Sequence, residues 1–181
     1  MIGAMIKFLY FDLFMMLRYL FWKVLLLSSG SRIGKRAKIY EGVRIVCNHP
    51  QSINIGDGVR ILRNATIATS RSGNISIGNN VHIGEGTIIY SDKEIKIKDN
   101  VIIGPQNIIV DFDHVYAAQE IPIIKQDHNA REIIIEEDVW ISAHCSIIRG
   151  VRLGKGSVVG AGSVVNKDVA GHSFVKEQIG R

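Results

Sequence analysis

The 181-residue chain is long enough for one domain with a buried core, because 46% of its residues are hydrophobic and 22% are charged. Its net charge of +5 suits an anionic membrane surface or a phosphate-bearing ligand. No nucleic-acid partner is expected, because the basic stretches lack a helical recognition element. Two cysteines without CxxC spacing predict a reducing compartment and no disulfide framework.

The N-terminal segment, residues 1–30, is strongly apolar through Leu27 and predicts an α-helix. Four charges interrupt it, so neither a membrane-spanning helix nor a signal peptide is expected. These charges are Lys7, Asp12, Arg18 and Lys23. A basic cluster follows, as a helix on anionic lipid would favour. It comprises Arg32, Lys35, Arg36 and Lys38. Two interpretations stay open: peripheral membrane contact through residues 1–27, or a packing or trimerisation helix.

From residue 33 onward, aliphatic residues recur every six positions. A six-residue unit of this kind predicts a short strand and a corner, and three units make one triangular coil whose neighbours stack as parallel strands about 4.8 Å apart. Of the 18 anchors, 15 are Ile. In triplets, the anchors are Ile33, Ile39, Ile45; Ile55, Ile61, Ile67; Ile77, Ile83, Ile89; Ile97, Ile103, Ile109; Ile135, Ile141, Ile147; and Leu153, Val159, Val165.

Extra residues enter the pattern always at one corner, after the third strand of a coil. Only the last coil follows its predecessor without such an insertion. Each insertion ends at an aliphatic residue that stands two positions before the next anchor. These closing residues are Ile53, Ile75, Ile95 and Ile133. We therefore predict an all-β protein, a parallel β-helix of about six coils over residues 31–170. Its longest insertion forms a loop at 113–132, and residues 171–181 form a C-terminal tail.

Four motifs resemble, in order, those of the hexapeptide-repeat acyltransferases. They are D-N-V-I-I-G-P-Q-N at 99–107, E-D-V-W-I at 137–141, I-I-R-G-V at 147–151 and G-A-G-S-V-V-N-K-D-V at 160–169. The similarity is greatest to the sugar O-acetyltransferases, including the maltose and galactoside enzymes and those of surface-polysaccharide synthesis. The resemblance implies a left-handed β-helix, a homotrimer and acetyl-CoA as acyl donor.

The stretch Asp111-Phe112-Asp113-His114 matches the family's D-H-x-H, with its last histidine kept. The resemblance implies that His114 is the general base, because an imidazole can take the proton of a hydroxyl that attacks a thioester. No covalent enzyme intermediate is needed. His114 also stands at the start of the longest insertion, and loops of such length are usually functional. By the same resemblance, Asp92 is the expected acceptor contact.

The resemblance also implies an acyl-CoA groove between neighbouring subunits. Trp140 and the backbones of Ser142 and Ala143 are expected beside the thioester and pantetheine arm. The backbone of Ala161 is expected to bind the pantetheine amides. Lys167 is expected to face the nucleotide phosphates, because coenzyme A is polyanionic.

The remaining chemistry-bearing residues have simpler expected roles. Cys145 stands at an inward small-residue position and is predicted to be core, not a nucleophile. The other five histidines are expected at surfaces or corners. A metal site like that of γ-class carbonic anhydrases needs a second histidine five positions on; Gln119 and Arg149 stand there instead. We therefore expect no metal. The five histidines expected at surfaces or corners are His49, His82, His128, His144 and His172. The C-terminal residues 174–181 lack the family's G-N-P-A segment.

The sequence thus predicts O-acetylation of a sugar or glycan in the cytoplasm, with the inner face of the membrane as the alternative location. Serine O-acetylation and amino-sugar N-acylation are the alternatives among enzymes. A non-catalytic β-helix that serves as a scaffold, with no coenzyme binding, is the alternative from another class.

Overall fold

The computed structural model describes residues 2–175, with side chains from residue 13 onward. An α-helix, Ile2–Ser28, precedes a triangular solenoid of three parallel sheets, named the first, second and third faces by their order in each coil. The first face contains Arg32–Ile33, Ile53–Ile55, Asn74–Ile77, Glu94–Ile97, Ile133–Ile135 and Arg152–Leu153. The second contains Lys38–Ile39, Arg60–Ile61, His82–Ile83, Ile102–Ile103, Trp140–Ile141, Val158–Val159 and Phe174–Val175. The third contains Arg44–Val46, Thr66–Thr69, Ile88–Ser91, Ile108–Val110, Ser146–Ile148 and Val164–Val165.

The six-residue period positions the core. All the anchors are buried, as are the four residues that close the insertions. Anchors of successive coils stack on one another. On the second face, Ile61 lies beside Ile83, and Ile103 lies beside Ile141. β-branched side chains fit such flat walls. The predicted left-handed hexapeptide β-helix with an N-terminal helix is confirmed.

The corners depend on left-handed backbone at the third residue after an anchor. Glycine adopts this conformation without strain, and Asn tolerates it better than most residues. Asn64, Asn80 and Asn100 occupy it with φ of 58°, 56° and 60°. Close stacking explains the glycine that often follows an anchor, since a Cβ on Gly104 would lie 2.8 Å from the Ser142 carbonyl.

The solenoid continues past the sixth coil. Val169 forms a parallel bridge with Leu153, and Phe174–Val175 pairs in parallel with Val158–Val159. These contacts begin a seventh coil at Val169, near the end of the predicted β-helix, and continue it into residues 171–175 of the predicted C-terminal tail. Residues 176–181, the rest of that tail, lie outside the described residues.

The N-terminal helix packs against the first coil. It contacts the first strands of the first and second faces, and Leu26 joins the hydrophobic core. Tyr19 and Trp22 pack against that core, and Met15 is buried. Among the helices of residues 2–175, none combines the length and the apolar character needed to cross a bilayer.

The longest insertion is an ordered arm, here defined as residues 112–130. Phe112–His114 pairs antiparallel with His128–Ala130, and a 3₁₀ helix, Ile123–Lys125, lies between them. Gln126 holds the turn together, since its amide donates to the Ala118 carbonyl at 3.0 Å and to the Ile121 carbonyl at 2.7 Å. The arm leaves the solenoid at the corner between the third and first faces of the fourth coil.

Candidate active site

The foundation of the candidate site is a buried carboxylate, Asp111, just before the arm. It accepts hydrogen bonds from the Ser91 hydroxyl at 2.7 Å and from the backbone N–H groups of Asp92, Lys93 and Glu94 at 2.7, 3.0 and 2.7 Å. Charge-assisted bonds of this kind are the stronger ones. Asp111 therefore fixes the corner of the third coil that carries Asp92.

Asp92 and His114 meet through a third residue, His128. The Asp92 Oδ2 atom lies 3.4 Å from His128 Nδ1. His128 is the strand partner of His114 across the arm, and the two ring centroids are 4.6 Å apart in an edge-on arrangement of 85°. Phe112 stacks on His128 at 4.9 Å, and the Tyr90 ring meets Phe112 edge-on at 5.2 Å. We call Asp92, His128 and His114 the histidine cluster.

The histidine cluster can accept and hold a proton. The carboxylate of Asp92 orients the imidazole of His128. His114 is exposed, so its ring is open to a ligand. A hydrogen bond between Arg149 Nε and the Asp113 carboxylate ties the arm to the fifth coil. Sequence patterns missed His128 because it stands far from His114 along the chain, and only antiparallel pairing in the arm brings the two together.

A second group of predicted residues lies elsewhere on the chain. Trp140 is exposed on the second face, and Ser142 and Ala143 form the corner that follows it. Ala161 occupies the equivalent corner one coil further on. Within residues 2–175, the backbone N–H groups of Ala143 and Ala161 donate no hydrogen bond. The Ser142 N–H is already used, because it donates to the Val159 carbonyl at 2.9 Å.

A buried amide stiffens that corner. The Asn107 side chain donates to the carbonyls of Gly104 and Ser142, both at 2.8 Å, and accepts from the Cys145 N–H at 2.6 Å. Buried polar groups satisfied in this way hold one geometry, since a shift would leave them unpaired. Asn107, inside the I-G-P-Q-N motif, therefore positions the backbone of Ala143.

Lys167 is exposed at the corner between the third and first faces, at the far end of the solenoid. With Asp168 and Ser173 it lines a cleft of about 180 Å³. This corner lies on the same edge as the histidine cluster. Ala143 lies on the opposite edge of the third face, and the strand between it and Arg149 spans at most about 20 Å. One chain therefore holds the predicted residues on two separate edges.

The remaining candidates occupy structural positions. Cys145 is buried, and burial raises the pKa of its thiol. Burial and the neighbouring Arg60 lower the pKa of His82. His49 Nε2 lies 2.7 Å from the Gly73 carbonyl, and His144 occupies a left-handed corner with φ of 58°. Among residues 2–175, no three His, Cys, Asp or Glu side chains are grouped to hold a metal ion.

The coils define the fold as a left-handed parallel β-helix of hexapeptide repeats. The family model "Bacterial transferase hexapeptide (six repeats)" matches residues 132–167. Galactoside O-acetyltransferase of Lactococcus lactis is 35% identical over 98 residues, which are 51% of this chain and 46% of that protein. The chain thus spans about half of this relative's length.

Two solved structures share the fold and contain coenzyme A or an acyl-CoA. AntD, an N-acyltransferase from Bacillus cereus in complex with dTDP and 3-hydroxybutyryl-CoA, matches with a TM-score of 0.69 and 27% identity over 82% of this chain and 80% of that one. A galactoside acetyltransferase in complex with coenzyme A matches with a TM-score of 0.59 and 27% identity, over 74% and 60%. The resemblance of the sequence to the hexapeptide-repeat acyltransferases is confirmed.

Proposed function

We propose that the protein transfers an acetyl group from acetyl-CoA to a hydroxyl of a sugar or glycan, in the synthesis of a surface polysaccharide. The observation that carries the proposal is the histidine cluster, which joins an exposed imidazole to a carboxylate at the base of the arm. The similar galactoside O-acetyltransferase and the coenzyme-bound structures support the choice of donor and reaction.

In the proposed reaction, His114 takes the proton of the acceptor hydroxyl as that oxygen attacks the thioester carbonyl. The new C–O bond forms, the C–S bond breaks, and the proton passes from the imidazolium to the departing thiolate. A positioned base of this kind contributes roughly 10² to 10⁴ in rate. His128 holds the His114 ring in place. Within residues 2–175, Asp92 Oδ1 has no side-chain partner and would accept a hydrogen bond from the acceptor.

We further propose that the site is completed by a neighbouring copy in a homotrimer. The histidine cluster and the corner at Ala143 lie on opposite edges of the third face. Between them, Ile88, Ile108 and Val164 are exposed in one row, with Ser146 between the last two, and a second copy would cover this row. Threefold packing of such a face would bring the corner of one chain toward the arm of the next.

A mixing experiment tests the shared site. His114→Ala removes the base, and Ala161→Trp blocks the coenzyme corner, so each variant alone should be inactive. Unfolded together and refolded, they should form mixed trimers in which some sites carry neither change, and part of the activity should return. The control refolds each variant alone and checks by sedimentation that both are trimers. Mixed trimers with no recovered activity would contradict the shared site, and an active monomer would contradict the assembly.

One observation favours a second candidate, N-acylation of an amino sugar. AntD is an N-acyltransferase, and its structure matches this chain over a larger share of both chains than the galactoside enzyme does. The same base would take the proton that an attacking amine loses as the amide bond forms and the thiolate departs.

A paired screen decides between the candidates. The protein is incubated with acetyl-CoA and matched pairs of acceptors, each sugar with its amino counterpart, and products are identified by mass spectrometry. O-acetylation gives an ester that hydroxylamine cleaves, whereas N-acylation gives an amide that resists it. We expect the ester. An amide alone would select the second candidate, and no coenzyme binding by calorimetry would select a non-catalytic scaffold.

A further inference from the structure

Over residues 13–28, the N-terminal helix packs on the solenoid through one narrow stripe. Met15, Tyr19, Trp22 and Leu26 follow the spacing of three to four positions that marks a single helix face. These four side chains are buried or pack against the first coil. Between residues 13 and 28, the helix therefore covers the end of the core with one stripe, and the solenoid does not cover its other sides.

Those other sides are apolar, which is unusual for a helix surface. Phe21 and Val24 are 61% and 68% exposed. A groove lined by Leu20, Phe21, Val24, Leu25 and Ser28 runs along this surface. A continuous exposed apolar surface marks a site that binds a protein or a membrane. We define the apolar helix face as Leu13, Phe14, Met16, Leu17, Leu20, Phe21, Val24, Leu25 and Leu27.

A basic collar surrounds this end of the molecule. The five collar residues are exposed on the first coil, which the helix contacts, and none forms an ion pair with the side chains of residues 13–175. Glu41, the acidic residue of that coil, is already paired with Arg63 at 2.7 Å and Arg18 at 3.8 Å. The basic collar consists of Arg32, Lys35, Arg36, Lys38 and Arg44.

The chain concentrates its positive charge at this end. Residues 1–46 contain 8 Lys or Arg against 2 Asp or Glu, whereas residues 47–181 contain 14 against 15. The net charge of the chain therefore comes from the helix and the first coil, while the rest of the solenoid is close to neutral. The end that exposes apolar side chains is also the end that attracts anions.

We infer that the apolar helix face and the basic collar dock the protein on an anionic phospholipid bilayer. The apolar side chains would enter the boundary between headgroups and acyl chains, as interfacial helices do, and the collar would pair with lipid phosphates. A second copy fits this surface less well. Two faces in contact would bring two unpaired basic collars together, and like charges in an interface disfavour association.

Vesicle co-sedimentation of the full chain tests the inference. We expect binding to vesicles of phosphatidylcholine mixed with phosphatidylglycerol, weaker binding to pure phosphatidylcholine, and a loss of binding as salt rises. Lys35→Glu combined with Lys38→Glu should weaken partitioning roughly 20-fold or more. The matched control, Lys125→Glu combined with Lys155→Glu, makes the same charge change away from the collar and should stay within about threefold of wild type.

A second variant tests the apolar contribution. Phe21→Gln combined with Val24→Gln should weaken binding about tenfold or more, because both side chains lose their apolar burial in the bilayer. Circular dichroism should show an unchanged melting temperature, since neither side chain is buried against the solenoid. The inference is overturned if wild type does not partition into anionic vesicles. It is also overturned if the Gln variant binds as well as wild type, or if it breaks an oligomer that sediments intact in wild type.

Discussion

The stacked coils and the arm hold their side chains in two different ways. In the coils, each buried Ile packs between equivalent residues of the coils above and below, so the same contact recurs many times. The arm depends on single contacts, such as Arg149 with Asp113, or Gln126 with the carbonyls of its own turn. The repeated packing contacts stabilise the coils, whereas the arm contributes less to stability and carries the candidate catalytic residue, His114. We therefore expect substitutions in the coils to lower stability and substitutions in the arm to lower turnover.

The largest expected effect on stability lies in the coils. Ile103→Ala removes a fully buried anchor of the fourth coil and should lower the free energy of unfolding by about 2–5 kcal/mol. Ile124→Ala makes the same change in the arm, where the side chain is 86% exposed, and should cost less than about 0.5 kcal/mol. Denaturant titration of both variants measures the difference. Equal losses would contradict the comparison.

The largest expected effect on turnover lies in the arm. His114→Ala should fold, assemble and bind acetyl-CoA as wild type does, yet kcat should fall by roughly 10² or more, because the base acts only on the acceptor proton. Steady-state kinetics with the best acceptor measure kcat, and calorimetry measures acetyl-CoA binding. His172→Asn serves as the control, and near-normal turnover of His114→Ala would contradict the mechanism.

Asp111→Asn probes the point where the coils and the arm meet. The amide NH₂ cannot accept a hydrogen bond, so at least one of the four donors around Asp111 loses its partner, at a cost of about 1–3 kcal/mol in the free energy of unfolding. The corner that carries Asp92 should shift, and kcat should fall as well. Asp127→Asn, in the exposed turn of the arm, is the control. A variant with lower stability but unchanged kcat would show that Asp111 serves the fold alone.

His128→Gln tests whether His128 positions His114. We expect kcat to fall about tenfold to a hundredfold, with coenzyme affinity unchanged, because a displaced base loses its alignment with the acceptor. Steady-state kinetics and calorimetry measure kcat and coenzyme affinity side by side. A parallel loss of kcat, coenzyme affinity and melting temperature would indicate a purely structural role.

The smallest expected effect is at Lys167. Lys167→Ala should weaken coenzyme A binding about two- to fivefold without a change in stability, because an exposed charge contributes about 1 kcal/mol or less. Calorimetry at low salt gives the comparison with Lys155→Ala, which removes an equivalent charge at another corner. Equal affinities for all three proteins would remove Lys167 from the coenzyme site.

The sequence predicts the two regions to different extents. Each coil repeats one pattern, so the anchors and the corner that receives insertions follow from the period. The arm occurs once, and nothing in its sequence pairs His128 with His114. The start of the seventh coil was missed because Val169, which bridges to Leu153, comes earlier than three six-residue units would place it. The hand of the helix cannot be derived from the period and comes from the resemblance.

The parallel stacking of the coils also fixes the distance along the solenoid axis between the first coil and the histidine cluster. Each coil adds about 4.8 Å along the solenoid axis, and the arm leaves the fourth coil, so the histidine cluster stands roughly 14 Å above the first coil. If the protein docks through its N-terminal helix with the solenoid axis along the bilayer normal, its candidate reactive groups would stand at least that far from the lipid headgroups. Deleting one whole coil, with its corners intact, would lower them by a single step. The number of coils below the arm would then set how far from a bilayer an acceptor must extend to be modified.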